Sequence, residues 1–221
     1  MKLKLNKDAI PFLFYGDKLE NTYRHISEDR FDHIMNIMGI SQHSQSRKEL
    51  FHEIWPLREL DVAEIWIWSW YNAIFYTETK SLTWIDISKK MLKYAEENFL
   101  IAWISNYSLL LSNSEELKDK DFDLVVMTYA LSGCKDITFL LGKALEQTRT
   151  WWRIAILDSY NFDNRMNLLM RLLWWHQSWS WFSKSPFKIF YPERSKFRII
   201  SNKRLKSEKN NTEYMLILEK L

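Results

Sequence analysis

Glycine is the residue this chain most lacks. Its 221 residues include 4 glycines, where ordinary usage of about 7% predicts about 15. Cysteine is nearly absent as well. The single Cys134 excludes an intrachain disulfide and a cysteine-rich metal site, which makes a reducing, cytoplasmic compartment the expectation. No apolar run reaches the ~18 residues of a membrane-spanning helix, and Met1–Lys7 alternates charge with leucine instead of opening a signal peptide. Charge of one sign is missing too: 31 basic and 28 acidic residues leave a net charge of +3. The one basic block, Lys203–Lys209, is short and reads as a solvated turn, so no nucleic-acid partner is expected. The five histidines show no ligand spacing, and no metal site is expected. His43 and His176 read as surface residues.

What the chain has in excess is tryptophan, with 12. The rest is rich in Lys, Asn, Ile and Leu, as an AT-rich gene would give.

Residues 1–58 read as polar and helical, with Phe31, Ile34, Ile37 and Met38 at helical spacing. From Asp61 short apolar runs alternate with helix-like stretches. The runs are Val62–Ile67, Ser81–Ile87, Tyr107–Leu111, Asp123–Met127 and Arg153–Leu157. The stretches between them are Asn72–Thr77, Ser88–Ile104 and Asp136–Gln147. That alternation predicts a parallel sheet with crossover helices. Phe197–Ser201 and Tyr214–Leu218, separated by a charged turn, can close the sheet as an antiparallel hairpin. Val62, Ile85, Leu110, Val125 and Ile156 are the predicted core of the strands. Trp174–Phe182 reads as packing or a lipid-facing surface.

The first strand runs into EIWIWSWYN, residues 64–72. With its tryptophans read as glycines the segment becomes EIGIGSGYN, the glycine-rich turn of a nucleotide-binding βα unit. Glycines there allow positive φ and a close approach of backbone to ligand. Twenty residues after Trp66, Asp86 ends the second strand, where an acid can accept from both hydroxyls of a ribose. By itself Asp86 would read as a cap for the helix that follows.

These motifs resemble the class I S-adenosylmethionine-dependent methyltransferases, in the large type 11 family that includes quinone-biosynthesis C-methyltransferases. The likeness covers about half the chain: VAEIWIWSW, LTWIDISKKMLKYAEEN, LLLSNSEELKDKDFDLVVMTYAL and TWWRIAILD stand in the family's order and spacing. It implies a Rossmann-like α/β fold: a seven-stranded, mostly parallel sheet with flanking helices and an antiparallel C-terminal strand. It divides the chain into an N-terminal helical segment (1–58) covering the substrate side and a methyltransferase domain (59–221). It implies S-adenosyl-L-methionine as cofactor. Glu64 would hold the methionine ammonium, and the loop of Trp66, Trp68 and Trp70 would pass beneath the methionine part. Asp86 would bind ribose, Ile87 would pack on adenine, and Asn113 with Ser114 would read the adenine edge. Thr128, directly after the fourth apolar run, belongs to the same cofactor set. No general base is named. Residues 31–50 are loosely similar to the quinone methyltransferases through Met35–Asn36, His43 and Arg47–Lys48. A small-molecule or lipidic acceptor, with a quinone precursor as the leading case, is therefore expected, and peripheral membrane contact stays open.

Trp66, Trp68, Trp70, Trp84, Trp151 and Trp152 fall where the family has glycine, and Trp103 falls where a helix-ending glycine fits. UGA is glycine in some bacterial codes and tryptophan in another, so a translation with the wrong code would produce this pattern. Trp55, Trp174, Trp175, Trp179 and Trp181 match no motif. If the indoles are literal, the alternative is a degenerate fold with a plugged cofactor loop, kept as a binding or scaffold module.

Overall fold

The computed structural model describes residues 45–65, 70–86, 88–111, 121–131, 137–161, 195–206 and 212–221. Along the chain run α1 (Gln45–Ile54), β1 (Asp61–Ile65), a 3-10 helix (Trp70–Phe75), β2 (Ser81–Asp86) and α2 (Lys89–Ile101). Then come β3 (Tyr107–Leu111), β4 (Phe122–Thr128), α3 (Ile137–Gln147), β5 (Thr148–Asn161), β6 (Phe197–Lys206) and β7 (Thr212–Lys220).

The seven strands form one sheet in the order β3-β2-β1-β4-β5-β7-β6. β1 to β5 pair in parallel, and β7 inserts antiparallel between β5 and β6. This is the predicted Rossmann-like architecture. Strand order reverses at β1, whose neighbours are β2 and β4, and α/β sheets place ligands outside the carboxyl ends of the strands at such a switch point.

The apolar runs form strands because helices and neighbouring strands cover them: β4 is buried at all seven positions. Val62, Ile85, Val125 and Ile156 are buried as predicted. Leu110 is only partly buried, because β3 is the edge strand and one of its faces is less covered. A second difference concerns the block Lys203–Lys209. Lys203–Lys206 belongs to β6 and not to a turn, with Lys203 and Arg204 outward and Leu205 buried.

Ser88 caps α2, its hydroxyl accepting from the Met91 amide at 3.4 Å. The other end closes as a Schellman motif: Ile104 N–H donates to Phe99 O at 2.9 Å, and Trp103 N–H to Leu100 O at 3.3 Å. The central residue of that motif must be left-handed, and Trp103 has φ 60°. Trp151 has φ 70°, where β5 carries extra residues against β4 between the pairs Phe122–Thr148 and Leu124–Arg153. Both indoles are exposed, Trp103 at 91% and Trp151 at 66%.

Candidate cofactor site

Glu64 is the fourth residue of β1 and is completely buried. Its Oε1 accepts from Asn72 Nδ2 at 2.5 Å and from Thr128 Oγ1 at 3.1 Å. Asn72 stands on the 3-10 helix that follows the first motif, and Thr128 is the last residue of β4. Two adjacent strand ends and the turn after the first thus meet at the switch point. Arg47 of α1, also completely buried, donates through Nη1 to Asn72 Oδ1 at 2.5 Å and to Thr128 Oγ1 at 3.4 Å. Its guanidinium carbon lies 5.0 Å from the Tyr129 ring centroid and 5.8 Å from that of Tyr71.

Burial pushes the Glu64 carboxyl up to about 7 from 4.5. The nearby Tyr76 hydroxyl, the bonds from Asn72 and Thr128, and the Arg47 charge restrain that rise. Tyr76 lies close to the carboxylate without an aligned hydrogen bond, and Glu64 Oε2 meets no donor among the described residues. A buried carboxylate oxygen without a donor is costly. The buried Tyr76 hydroxyl, which stands close to this carboxylate, is likewise without an aligned partner among the described residues.

On the neighbouring strand Asp86 ends β2, 4% exposed. Its Oδ1 accepts from Ser88 N–H at 2.7 Å, so it braces the turn into α2, while the cap of that helix is Ser88 itself. A further buried pair lies beyond β4: the Tyr129 hydroxyl donates to Glu213 Oε1 at 2.8 Å. Tyr129 holds φ 55°. Burial raises the Glu213 carboxyl, against hydrogen bonds from Ser46 and Tyr129 and the charge of Arg47.

Of the residues named from the sequence, the structure brings Glu64 and Thr128 into contact, and parallel pairing places Asp86 on the strand beside Glu64. Trp70 begins the 3-10 helix. Trp66, Trp68, Ile87, Asn113 and Ser114 lie outside the described residues, as do Met35, Asn36, His43, Cys134, His176 and the 174–182 stretch. Sequence reasoning missed Asn72 and Tyr76, and gave Arg47 no role beyond a thin likeness. The available signal was Asn72, a polar residue eight positions after Glu64 at the end of the glycine-like turn.

No family model and no curated protein matches the sequence. Solved structures do match the fold. The N-methyltransferase NodS from Bradyrhizobium japonicum, in complex with S-adenosyl-L-homocysteine, superposes with a TM-score of 0.64 at 11% identity, covering 92% of this chain and 99% of NodS. Magnesium protoporphyrin IX methyltransferase from Synechocystis, also with S-adenosyl-L-homocysteine bound, gives 0.64 at 12% identity, covering 94% and 96%. A ribosomal protein L11 methylase from Lactobacillus delbrueckii subsp. bulgaricus gives 0.54 at 17% identity, covering 80% and 77%. Magnesium protoporphyrin IX and a ribosomal protein are unrelated acceptors, so the shared fold does not select one. No helix among the described residues is long and apolar enough to cross a membrane. The chain has the fold of the class I S-adenosylmethionine-dependent methyltransferases.

Proposed function

We propose that this chain transfers the methyl group of S-adenosyl-L-methionine to a small-molecule or lipidic acceptor, with a quinone precursor as the leading candidate. The observation that carries the reading is the meeting of Glu64, Asn72 and Thr128 at the switch point, with a buried Glu64 oxygen that lacks a donor. Among the described residues, Glu64, Asp86 and Thr128 suit the cofactor by their chemistry. Glu64 would take the methionine ammonium, and Thr128 would hold Glu64 in place. Asp86 would take the ribose hydroxyls, Ile87 would cover adenine, and Asn113 and Ser114 would read its edge. Bound there, the cofactor supplies a sulfonium already activated for methyl donation, so the chain's task is to align and shield it. Residues 1–58 would cover the acceptor side of the domain formed by 59–221. Burial of Arg47 from that segment against Asn72 supports this arrangement.

The reading includes glycine at positions 66, 68, 70, 84, 103, 151 and 152 in the protein as its own cell makes it. Support comes from Trp103 and Trp151, two exposed indoles on left-handed backbone. Trp84 adds to it, since its fully buried Nε1 has no hydrogen-bond partner among the described residues. An L side chain on left-handed backbone costs ~1–2 kcal/mol.

Two measurements test the proposal. The codons at Trp66, Trp68, Trp70, Trp84, Trp151 and Trp152 should all be UGA; UGG at these positions rejects recoding. By calorimetry the full chain carrying the seven glycines should bind S-adenosyl-L-methionine, and the chain with tryptophans should not. Equal binding by the two refutes the plugged loop. Failure of both to bind refutes the cofactor assignment and favours a scaffold.

A further inference from the structure

β6 ends the sheet on one side, pairing with β7 and with no second strand among the described residues. Its ten residues include four cations, Arg198, Lys203, Arg204 and Lys206, and no acid. One strand thus holds more positive charge than the net +3 of the whole chain. Register spreads the charge around the edge. Arg198 and Lys203 pair with Glu219 and Met215 on one face of the sheet, and Arg204 pairs with Tyr214 on the other. Arg198 and Lys203 bond Glu219 and Glu53 at 2.6 Å, but both cations stay exposed, and pairs so exposed restrain a cation little.

Between these cations lie Ile199 and Ile200, 51% and 42% exposed. A bulge between Ile199 and Ser201 leaves Ile200 opposite no residue of β7. Cations and a bulge on an edge strand are ordinary protection against strand addition. Two adjacent exposed isoleucines are not, since they supply the apolar surface that such protection removes.

A partner that fits this edge uses both features. Nucleic acid would use the cations, but its bases stack on aromatic side chains, and the one aromatic of β6, Phe197, is buried. A second copy of β6 would bring like charges together. An anionic bilayer uses both: its phosphates attract the cations, and isoleucines enter the boundary between headgroups and acyl chains.

We propose that the β6 edge docks the protein on an anionic lipid bilayer through Arg198, Lys203, Arg204 and the Ile199–Ile200 pair. Docking there is independent of cofactor binding. It also suits a lipidic acceptor. β6 runs parallel to β5, both being antiparallel to β7, so its carboxyl end lies at the same rim as Glu64 and Thr128. A docked edge brings that rim beside the bilayer.

Flotation with vesicles tests this on the full chain carrying the seven glycines, which removes the exposed indoles at 103, 151 and 152 as competing contacts. The vesicles are phosphatidylcholine alone, and phosphatidylcholine with phosphatidylglycerol at two to one. The parent should bind the anionic vesicles at least tenfold more tightly, with the gap shrinking in high salt. Arg198→Gln with Arg204→Gln should weaken that binding at least tenfold, from about fivefold per cation. Ile199→Ser with Ile200→Ser should weaken it at least fivefold, in high salt as in low. Lys93→Gln, which removes an exposed cation of α2, should stay within twofold. Thermal melts report folding; should a double change lower the melt, Arg204→Gln or Ile200→Ser alone replaces it, with a smaller loss in the same direction. The proposal is overturned if the parent binds both vesicles alike or neither, if Lys93→Gln weakens binding as much as the arginine changes do, or if the isoleucine changes have no effect. Tighter binding to single-stranded DNA than to anionic vesicles overturns it in favour of nucleic acid. A parent dimer that the isoleucine changes dissociate overturns it in favour of self-association.

Discussion

β1 carries a carboxylate near each end, and the two behave in opposite ways. At its start Asp61 bonds Lys80 at 2.9 Å and Ser81 at 2.6 Å, with Arg149 at 3.4 Å. Burial would raise its carboxyl, but those donors outweigh burial and leave it below its ordinary value. Near the other end Glu64 has amide and hydroxyl donors and a spaced arginine, and burial wins. The base of the sheet is thus a surface of ion pairs and exposed tryptophans, with Arg149 also bonded to Asp123. The opposite rim is a buried polar group with one bond unmade. Charges at the base are matched within the chain. The buried carboxyl at the rim has no cationic group bonded to it among the described residues, a contrast that fits the proposed ligand site.

The largest expected break of that contrast is Asp86→Ala in the glycine chain. Losing the two charge-assisted bonds proposed to ribose, each ~1.5–3 kcal/mol, should lower cofactor affinity by about two to four decades while the fold persists. Calorimetry beside a thermal melt measures both.

Next comes pH. Folded Glu64 titrates near 7 and the unfolded group near 4.5. Between those values the native chain holds a proton that the unfolded chain has released. Stability should therefore be greatest below about pH 4.5 for this group and decline as pH rises to 7, by at most about 3 kcal/mol. Urea titrations across that range should show the decline, and Glu64→Gln should flatten it. Asp61 runs the other way: its lowered value contributes stability that is lost as pH falls below its unfolded value. A Glu64→Gln curve parallel to the parent's would remove the asymmetry between the ends of β1.

Smaller effects are expected at the turns. Trp103→Gly and Trp151→Gly should each stabilise by about 1 kcal/mol. Gly142 presents the reverse case. It sits inside α3 with nothing within 4 Å of where a Cβ would stand, so Gly142→Ala should stabilise by ~0.5–1 kcal/mol. Thermal melts resolve both. The smallest change belongs to the base: Lys80→Ala removes a half-exposed pair with Asp61 and should cost under ~1 kcal/mol, less in high salt.

The strands and helices of the sheet were legible because each is a short apolar run or an amphipathic stretch bounded by polar residues. Their ends moved by a residue or two, except α2, which stops three residues early at Ile101, and β5 and β6, which extend well beyond their apolar runs as pairing with β7 continues through polar positions. Leu110 was misjudged because apolar character does not say which strand lies at an edge. The placing of Glu64, Asp86 and Thr128 at or near the carboxyl ends of neighbouring strands was legible from motif order. Arg47, Asn72 and Tyr76 were not, since their meeting depends on how α1 and the 3-10 helix fold back on the sheet, and no local pattern encodes that.

Amide hydrogen exchange of the glycine chain, with and without S-adenosyl-L-homocysteine, tests the two-ended picture most directly. Ligand should slow exchange around residues 64–72, 86–90 and 128–131 at the rim and leave 58–61, 102–107 and 148–153 at the base unchanged. Protection at the base, or none at the rim despite saturating ligand, would contradict a cofactor site at the switch point.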